Sequence, residues 1–153
     1  MLISKIKKQS TPNDNWNSKK SSAKIYINRN KMKLLIVDNE ENLLKGLKLL
    51  LENFCPEITS IETADGVITG LEKISSFKPD ILLLDVEMDD GTGFDLMKQV
   101  VTPRFQLIFV TAHNQYAIQA FKFSAIDYLL KPVDPDALQK SIGKALRNIR
   151  NTN

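Results

Sequence analysis

The sequence predicts an α/β domain built around a parallel β-sheet. From residue 33 onward, short apolar runs alternate with segments whose apolar residues recur at helical spacing. This alternation is typical of strands joined by crossover helices. The chain has 153 residues, and domains commonly span about 100–200 residues. We therefore expect one such domain and a modest extension, without internal repeats.

Five short segments rich in apolar residues predict the strands of the sheet. They cover residues 34–37, 58–61, 81–84, 107–110 and 126–130. The second segment is the weakest of the five, and the segment over 81–84 is the strongest. We expect buried strands, since continuous apolar runs are typical of parallel sheets covered on both faces.

Five helices are predicted between and after these strands. The first begins between residues 38 and 40 and extends to 54, the second ends before Pro79, and the last spans residues 135–150. Apolar residues mark the third and fourth helices, namely Phe94, Leu96, Met97 and Val100 in the third and Tyr116, Ala117, Ala120 and Phe121 in the fourth.

The charge of the chain is unevenly distributed. Residues 1–33 contain nine Lys or Arg residues and one acidic residue, so the remainder is net acidic although the whole chain carries +3. Residues 1–31 are rich in Ser, Asn and Lys and lack apolar periodicity, which predicts a disordered basic extension or sequence upstream of a start at Met32. Such an arm has either no specific role or a purely electrostatic one. We expect no nucleic-acid binding by the folded domain.

Composition favours a folded globular protein, and the absence of targeting segments together with a single cysteine leads us to expect a cytoplasmic one. No apolar run approaches the ~20 residues that a membrane helix needs, and no apolar signal region follows the N-terminal lysines. The lone Cys55 has no partner for an internal disulfide, which is consistent with a reducing compartment. We expect Cys55 to be an inert packing residue.

Polar residues follow four of the predicted strands at their carboxyl ends, where open parallel sheets bind ligands. They are Asp38, Asn39 and Glu40 after the first strand, Asp85 after the third, Thr111 after the fourth and Lys131 after the fifth. Asp85 follows an uninterrupted apolar strand and is the best candidate for a nucleophilic carboxylate. Mg²⁺, the Lys131 ammonium and the Thr111 hydroxyl could neutralise a transferred phosphoryl group.

Each residue also has a structural interpretation. Asp38 and Asn39 are favourable N-cap residues, and Glu41 completes a possible capping box with Asp38. A single Asp after a strand is more often a turn residue. The combination of complementary charges at several strand ends favours a functional site.

Four segments of the sequence resemble the receiver domain of two-component response regulators. They are LLIVDNE (residues 34–40), ILLLDVEM (81–88), FVTA (109–112) and DYLLKP (127–132), and the resemblance covers about residues 32–150. The segment from Tyr116 to Pro132 is most similar to receivers linked to LytTR-type DNA-binding domains. The resemblance implies a flavodoxin-like, doubly wound (βα)5 sheet with strand order 2-1-3-4-5.

The resemblance also implies a role for each site residue. Asp85 matches the phosphoacceptor, Thr111 and Lys131 match the phosphate-binding pair, Tyr128 matches the aromatic switch residue, and Pro132 matches a cis-proline. Asp38 and Asn39 match the pair that holds Mg²⁺, to which Asp85 and the backbone carbonyl of Glu87 also contribute.

The implied activity is signalling by self-modification rather than enzymatic turnover. Asp85 would accept a phosphoryl group from a sensor histidine kinase, and the surface formed by the fourth helix, fifth strand and fifth helix would then switch. The implied partners are the kinase and either a second copy of the chain or a downstream output protein.

Two positions depart from the family pattern. Asn39 stands where the second aspartate is usual, which predicts weaker Mg²⁺ binding than an aspartate would give. Asp89 replaces the usual proline, so the following loop is either more mobile or supplies a compensating carboxylate. The lone His113 is expected at the lip of the pocket. Alternatives are a phosphorylation-independent pseudo-receiver that acts as an interaction module, or the receiver part of a LytTR-type transcription factor.

Overall fold

A five-stranded parallel sheet forms the centre of the computed structural model, which describes residues 31–152. The strands are β1 (Met32–Val37), β2 (Ile58–Ala64), β3 (Ile81–Leu84), β4 (Gln106–Thr111) and β5 (Asp127–Leu130). Their order in the sheet is β2-β1-β3-β4-β5, and every neighbouring pair is parallel. The predicted fold class and strand order are confirmed. The predicted disordered extension lies outside the described residues, except for Lys31.

Helices cover both faces of the sheet. They are α1 (Glu41–Phe54), α2 (Val67–Phe77), α3 (Gly93–Lys98), α4 (Ala117–Phe121) and α5 (Pro135–Thr152). The helices α1 and α5 pack on one face, and α2, α3 and α4 pack on the other. Alternate residues of β1 enter the two cores, with Leu34 and Ile36 on one side and Leu35 and Val37 on the other. All four are at most 1% exposed.

Some local structure differs from the prediction. A two-residue antiparallel pair, Glu87–Met88 with Gly91–Thr92, follows β3, and a 3₁₀ turn over Asn114–Tyr116 precedes α4. Elements this short have no periodicity from which to predict them. The strand β2 extends three residues beyond the prediction because an edge strand tolerates polar side chains on its open side.

The capping box predicted at the start of α1 is wrong. The N-cap residue is Glu40, and no side chain caps the helix there. The Asp38 carboxylate instead accepts a 2.8 Å hydrogen bond from the Glu40 N–H, within the loop that precedes the helix. Since α1 begins only at Glu41, Asp38 is free to take part in a site at the end of β1.

Cys55 is buried at the end of α1, as expected for a packing residue. Burial raises the pKa of its thiol, so the unreactive protonated form is favoured. None of the helices within residues 31–152 combines the length and the apolar character needed to cross a membrane.

Candidate functional site

Strand register brings Asp38 and Asp85 together. Val37 of β1 pairs with Leu84 of β3, so the two aspartates follow paired residues at the same edge of the sheet. The Asp85 N–H donates a 3.0 Å hydrogen bond to the Val37 carbonyl oxygen. Asp38 is 1% exposed and Asp85 is 5% exposed. Two carboxylates are therefore buried side by side, which requires a positive charge nearby.

Lys131 supplies that positive charge. Its Nζ lies 2.7 Å from Asp38 Oδ2, 2.6 Å from Glu40 Oε1 and 3.1 Å from Asp85 Oδ2. The backbone N–H of Lys131 donates a 2.9 Å hydrogen bond to the Thr111 carbonyl oxygen, which fixes the lysine backbone to the neighbouring strand. The Lys131–Pro132 peptide bond is cis, as the resemblance implied.

The acid–base properties of this cluster follow from burial and charge. Burial and the neighbouring Asp85 charge raise the pKa of Asp38 to about 6, although Lys131 and the Glu40 N–H oppose the shift. Burial alone would lower the pKa of Lys131, but its contacts with Asp38 and Glu40 and the charge of Asp85 raise it above the ordinary value. Lys131 thus remains an ammonium at neutral pH, while Asp38 is protonated in mild acid.

Backbone groups fix the Asp85 side chain and the loop behind it. The Val86 N–H donates a 2.7 Å hydrogen bond to Asp85 Oδ1, and Oδ2 faces Lys131. Gly93, the first residue of α3, packs so tightly that a Cβ atom there would lie 2.4 Å from the Asp85 carbonyl oxygen. Only glycine permits this approach of α3 to the end of β3.

The residues at the site have oxygen atoms suited to a divalent cation. Carboxylate oxygens of Asp38, Glu40 and Asp85 all lie within 4.8 Å of one another. Asp38 Oδ2 is fully buried and, apart from its 2.7 Å ion pair with Lys131, has no hydrogen-bond partner among the described residues. A buried oxygen without a hydrogen bond and a set of oxygen donors fit Mg²⁺.

Asn39 does not belong to the cluster formed by the carboxylates of Asp38, Glu40 and Asp85. Its amide Nδ2 donates a 3.2 Å hydrogen bond to Asp89 Oδ1, which connects the loop after β1 to the loop after β3. Asp89 therefore accepts a hydrogen bond from the Asn39 amide and does not join the carboxylates of Asp38, Glu40 and Asp85. The sequence alone indicates Glu40 only as a carboxylate near Asp38, and its position two residues after Asp38 is the available signal.

Glu87 lies in the hairpin that follows Asp85, and its side chain contacts the loop after β4. The Tyr116 hydroxyl donates a 2.8 Å hydrogen bond to Glu87 Oε2, and His113 Nε2 lies 3.2 Å from Oε1. His113 is only partly exposed and lies at the edge of the site, as expected. The contact of Tyr116 with the loop after β3 was not predicted, since the sequence marked Tyr116 only as part of a helix face.

Thr111 and Tyr128 lie on adjacent strands beside the site. Thr111 is fully buried, and its hydroxyl accepts a 3.4 Å hydrogen bond from the His113 N–H. The Tyr128 ring is partly buried 6.2 Å from the Phe109 ring, and its hydroxyl donates a hydrogen bond to the His113 carbonyl oxygen. His113 therefore contacts both residues through its backbone.

Comparisons with known proteins all indicate the same family of domains. The family model of the response regulator receiver domain matches residues 34–143. An uncharacterized response regulatory protein of Vibrio vulnificus is 42% identical over 109 residues, covering 71% of this chain and 45% of that protein. The sensory transduction protein LytT of Enterococcus faecalis is 37% identical over 120 residues, covering 77% of this chain and 49% of LytT.

Solved structures also resemble this one. A response regulator receiver domain protein from Clostridium thermocellum has a TM-score of 0.71 and 28% identity, covering 80% of this chain and 99% of that chain. The chain spans about half the length of the curated relatives it matches.

Proposed function

The chain belongs to the response regulator receiver domain family and is similar to LytT-type regulators, and on that basis we propose that Asp85 is its phosphoacceptor. A phosphohistidine of a sensor histidine kinase is the donor, and the reaction depends on Mg²⁺ in the cytoplasm. The observation that carries the proposal is the approach of one ammonium, Lys131, to the carboxylates of Asp38, Glu40 and Asp85.

In the proposed reaction, a carboxylate oxygen of Asp85 attacks the phosphorus atom. The new O–P bond forms as the P–N bond to the kinase histidine breaks, and the histidine nitrogen keeps the bonding electron pair and takes up a proton. Lys131 lies 3.1 Å from Asp85 Oδ2 and supports charge neutralisation of the transferred group. Thr111 contributes a hydroxyl that binds a phosphoryl oxygen. The reaction modifies the protein itself and involves no turnover of a separate substrate.

Mg²⁺ would be held by oxygen atoms of Asp38, Asp85 and the backbone carbonyl of Glu87, with Asn39 the fourth candidate from the sequence. When bound, Mg²⁺ neutralises negative charge on the phosphoryl oxygens. The buried Asp38 Oδ2, which accepts no hydrogen bond from the described residues, supports this assignment. Lys131 shares Asp38 and Asp85 with this site and orients both carboxylates.

Phosphorylation would be transmitted through the surface formed by α4, β5 and α5. The new charge draws the Thr111 hydroxyl and the Tyr128 ring toward Asp85 and shifts a pre-existing equilibrium of this surface. Ile118, Phe121 and Leu130 expose apolar area on it, which suits a second copy of the chain or a downstream output protein. Neither partner requires that the receiver bind nucleic acid.

Intact mass spectrometry after incubation with acetyl phosphate tests the proposal. The wild type should gain one phosphoryl group with Mg²⁺ and none without it, and Asp85→Asn should gain none. Asp65→Asn is the matched control. Asp65 follows the neighbouring strand β2 but lies outside the cluster of carboxylates formed by Asp38, Glu40 and Asp85. A modification retained in Asp85→Asn would refute the assignment of the phosphoacceptor.

A pseudo-receiver that acts without phosphorylation is the second candidate. The observation in its favour is Asn39, whose neutral amide is bonded to Asp89. Failure of the wild type to gain a phosphoryl group, together with gain by Asn39→Asp, would support this candidate. Modification of the wild type would exclude it.

A further inference from the structure

We propose that Glu40 supplies the metal-binding carboxylate that Asn39 cannot, so that Glu40 joins Asp38, Asp85 and the backbone carbonyl of Glu87 in holding the cation. This inference rests on the proposed Mg²⁺ dependence and deepens it by naming a ligand. Asn39 would then serve a different purpose, since its amide holds the loop that contains Asp89.

The first observation is that the Glu40 carboxylate, like those of Asp38 and Asp85, already contacts the Lys131 ammonium. Lys131 Nζ is 2.6 Å from Glu40 Oε1, which is at least as close as it is to Asp38 Oδ2 at 2.7 Å or Asp85 Oδ2 at 3.1 Å. Three carboxylates thus surround the Lys131 ammonium. Three carboxylates and one ammonium leave a net charge of −2, which a divalent cation neutralises.

The second observation is the buried Asp38 carboxylate. Asp38 is 1% exposed, and its Oδ2 accepts no hydrogen bond from the described residues. Its close contact is the Lys131 ammonium at 2.7 Å, which pairs its charge but leaves hydrogen-bonding capacity unused, so a bound cation can also coordinate this oxygen. Asp38 Oδ2 is therefore available as a ligand atom in the cluster formed by the carboxylates of Asp38, Glu40 and Asp85.

The loop after β1 explains why Glu40 can take this role. Asp38 Oδ1 accepts a 2.8 Å hydrogen bond from the Glu40 N–H, and this turn brings the two side chains together. Glu40 is the N-cap residue of α1, but its side chain does not cap the helix. The side chain is 60% exposed, so it can rearrange toward a cation without disturbing the core.

Binding of Mn²⁺, a paramagnetic analogue of Mg²⁺, measures the role of Glu40 directly on the full chain. Free Mn²⁺ is followed by electron paramagnetic resonance, and calorimetry with Mg²⁺ provides a second measurement. Glu40→Gln should weaken binding about tenfold, since the carboxylate charges of a site set its affinity. Glu41→Gln is the matched control. It removes the same charge from the next residue, which is 78% exposed and pairs with Lys45 rather than Lys131, and it should change binding less than about twofold.

A double variant tests whether Glu40 binds the metal directly or acts on metal binding only through its contact with Lys131. If Glu40 is a ligand, Asn39→Asp restores a carboxylate one residue earlier, and Glu40→Gln then costs much less than in the wild type. An undiminished cost in the Asn39→Asp background would overturn the assignment, as would equal effects of Glu40→Gln and Glu41→Gln. Circular dichroism melting without metal verifies that each variant is folded.

The outcomes also separate this inference from the proposed function. Metal binding by the wild type that Glu40→Gln leaves unchanged refutes the role of Glu40 alone. No binding by the wild type or by Asn39→Asp refutes the metal dependence itself, and the role of Glu40 with it.

Discussion

The hydroxyl of Tyr128 donates a hydrogen bond to the main-chain carbonyl oxygen of His113, which connects β5 to the loop that follows β4. The His113 N–H in turn is bonded to the Thr111 hydroxyl. The two residues assigned to switching are thereby joined through one backbone residue. A change in the position of Thr111 is therefore expected to be transmitted to the Tyr128 ring.

Tyr128→Phe should loosen the loop after β4. The substitution removes one hydrogen bond, worth about 1 kcal/mol, and leaves the ring to pack near Phe109. We expect faster amide hydrogen exchange at residues 113–116, measured by mass spectrometry. Tyr116→Phe is the comparison, because it removes a bond to the exposed Glu87 carboxylate and should change exchange less. Equal exchange in wild type and Tyr128→Phe would contradict the proposed connection.

Two glycine substitutions should have opposite effects on stability. Gly93→Ala places a Cβ atom 2.4 Å from the Asp85 carbonyl oxygen, and relieving this clash should lower the free energy of unfolding by about 1–3 kcal/mol. Gly46 lies in α1, and a Cβ atom there would meet nothing within 4 Å beyond the backbone of its own helix. Gly46→Ala should therefore stabilise the protein by up to about 1 kcal/mol, because alanine favours helices.

Urea denaturation of both variants checks these values. Gly93→Ala should also slow modification by acetyl phosphate, since the clash displaces the backbone of Asp85. A variant Gly93→Ala as stable as the wild type would show that α3 can move away from β3 without cost.

The sequence was sufficient to predict the sheet because its strands are buried and continuous. Residues 81–84 are all aliphatic and fully buried, and their position between two helical segments indicates a central parallel strand. Short elements carry no such signal. The hairpin after Asp85 has two residues in each strand, and the full length of β2 includes polar residues such as Glu62 and Thr63 on an edge strand.

The site could be predicted as a set of strand ends but not as a set of side-chain contacts. Asp38, Asp85 and Lys131 lie together because parallel strands end at one edge of the sheet. Which of Asn39 and Glu40 joins them depends on the loop after β1. Side-chain direction in a loop has no period, so only the structure distinguishes Glu40 near Lys131 from Asn39 near Asp89.

Lys131→Gln should destabilise the metal-free protein and strengthen its binding of Mg²⁺. Removing the ammonium leaves Asp38 and Asp85 buried without their counter-charge, at a cost on the order of 3 kcal/mol. The same oxygens then become available to the cation without competition. Thermal melting with and without Mg²⁺, together with calorimetry, measures both effects.

Lys144→Gln is the control for Lys131→Gln. The Lys144 ammonium lies 3.6 Å from Asp127 and is about half exposed, so its removal should cost less than about 1 kcal/mol and leave Mg²⁺ affinity unchanged. Weaker Mg²⁺ binding by Lys131→Gln would contradict the view that the lysine competes with the cation.

Mg²⁺ affinity should fall in mild acid because Asp38 must lose its proton to bind the ion. Burial and the Asp85 charge raise the pKa of Asp38 to about 6 in the metal-free protein. Binding should be nearly independent of pH above about 7 and should weaken toward tenfold per pH unit below about 6, where each bound ion displaces one proton. Calorimetry between pH 5 and pH 8 in buffers of different ionisation enthalpy would measure both the affinity and the proton release.

The same raised pKa affects the stability of the metal-free protein. Because the folded state holds the Asp38 proton more tightly than the unfolded state, this carboxyl group favours folding below the unfolded pKa, and the contribution is lost as the pH rises through about 6. Asp38→Asn keeps an oxygen that can accept the Glu40 N–H but does not titrate. It should flatten the change in unfolding free energy between pH 4 and pH 7, and an unchanged pH profile would assign the titration to another group.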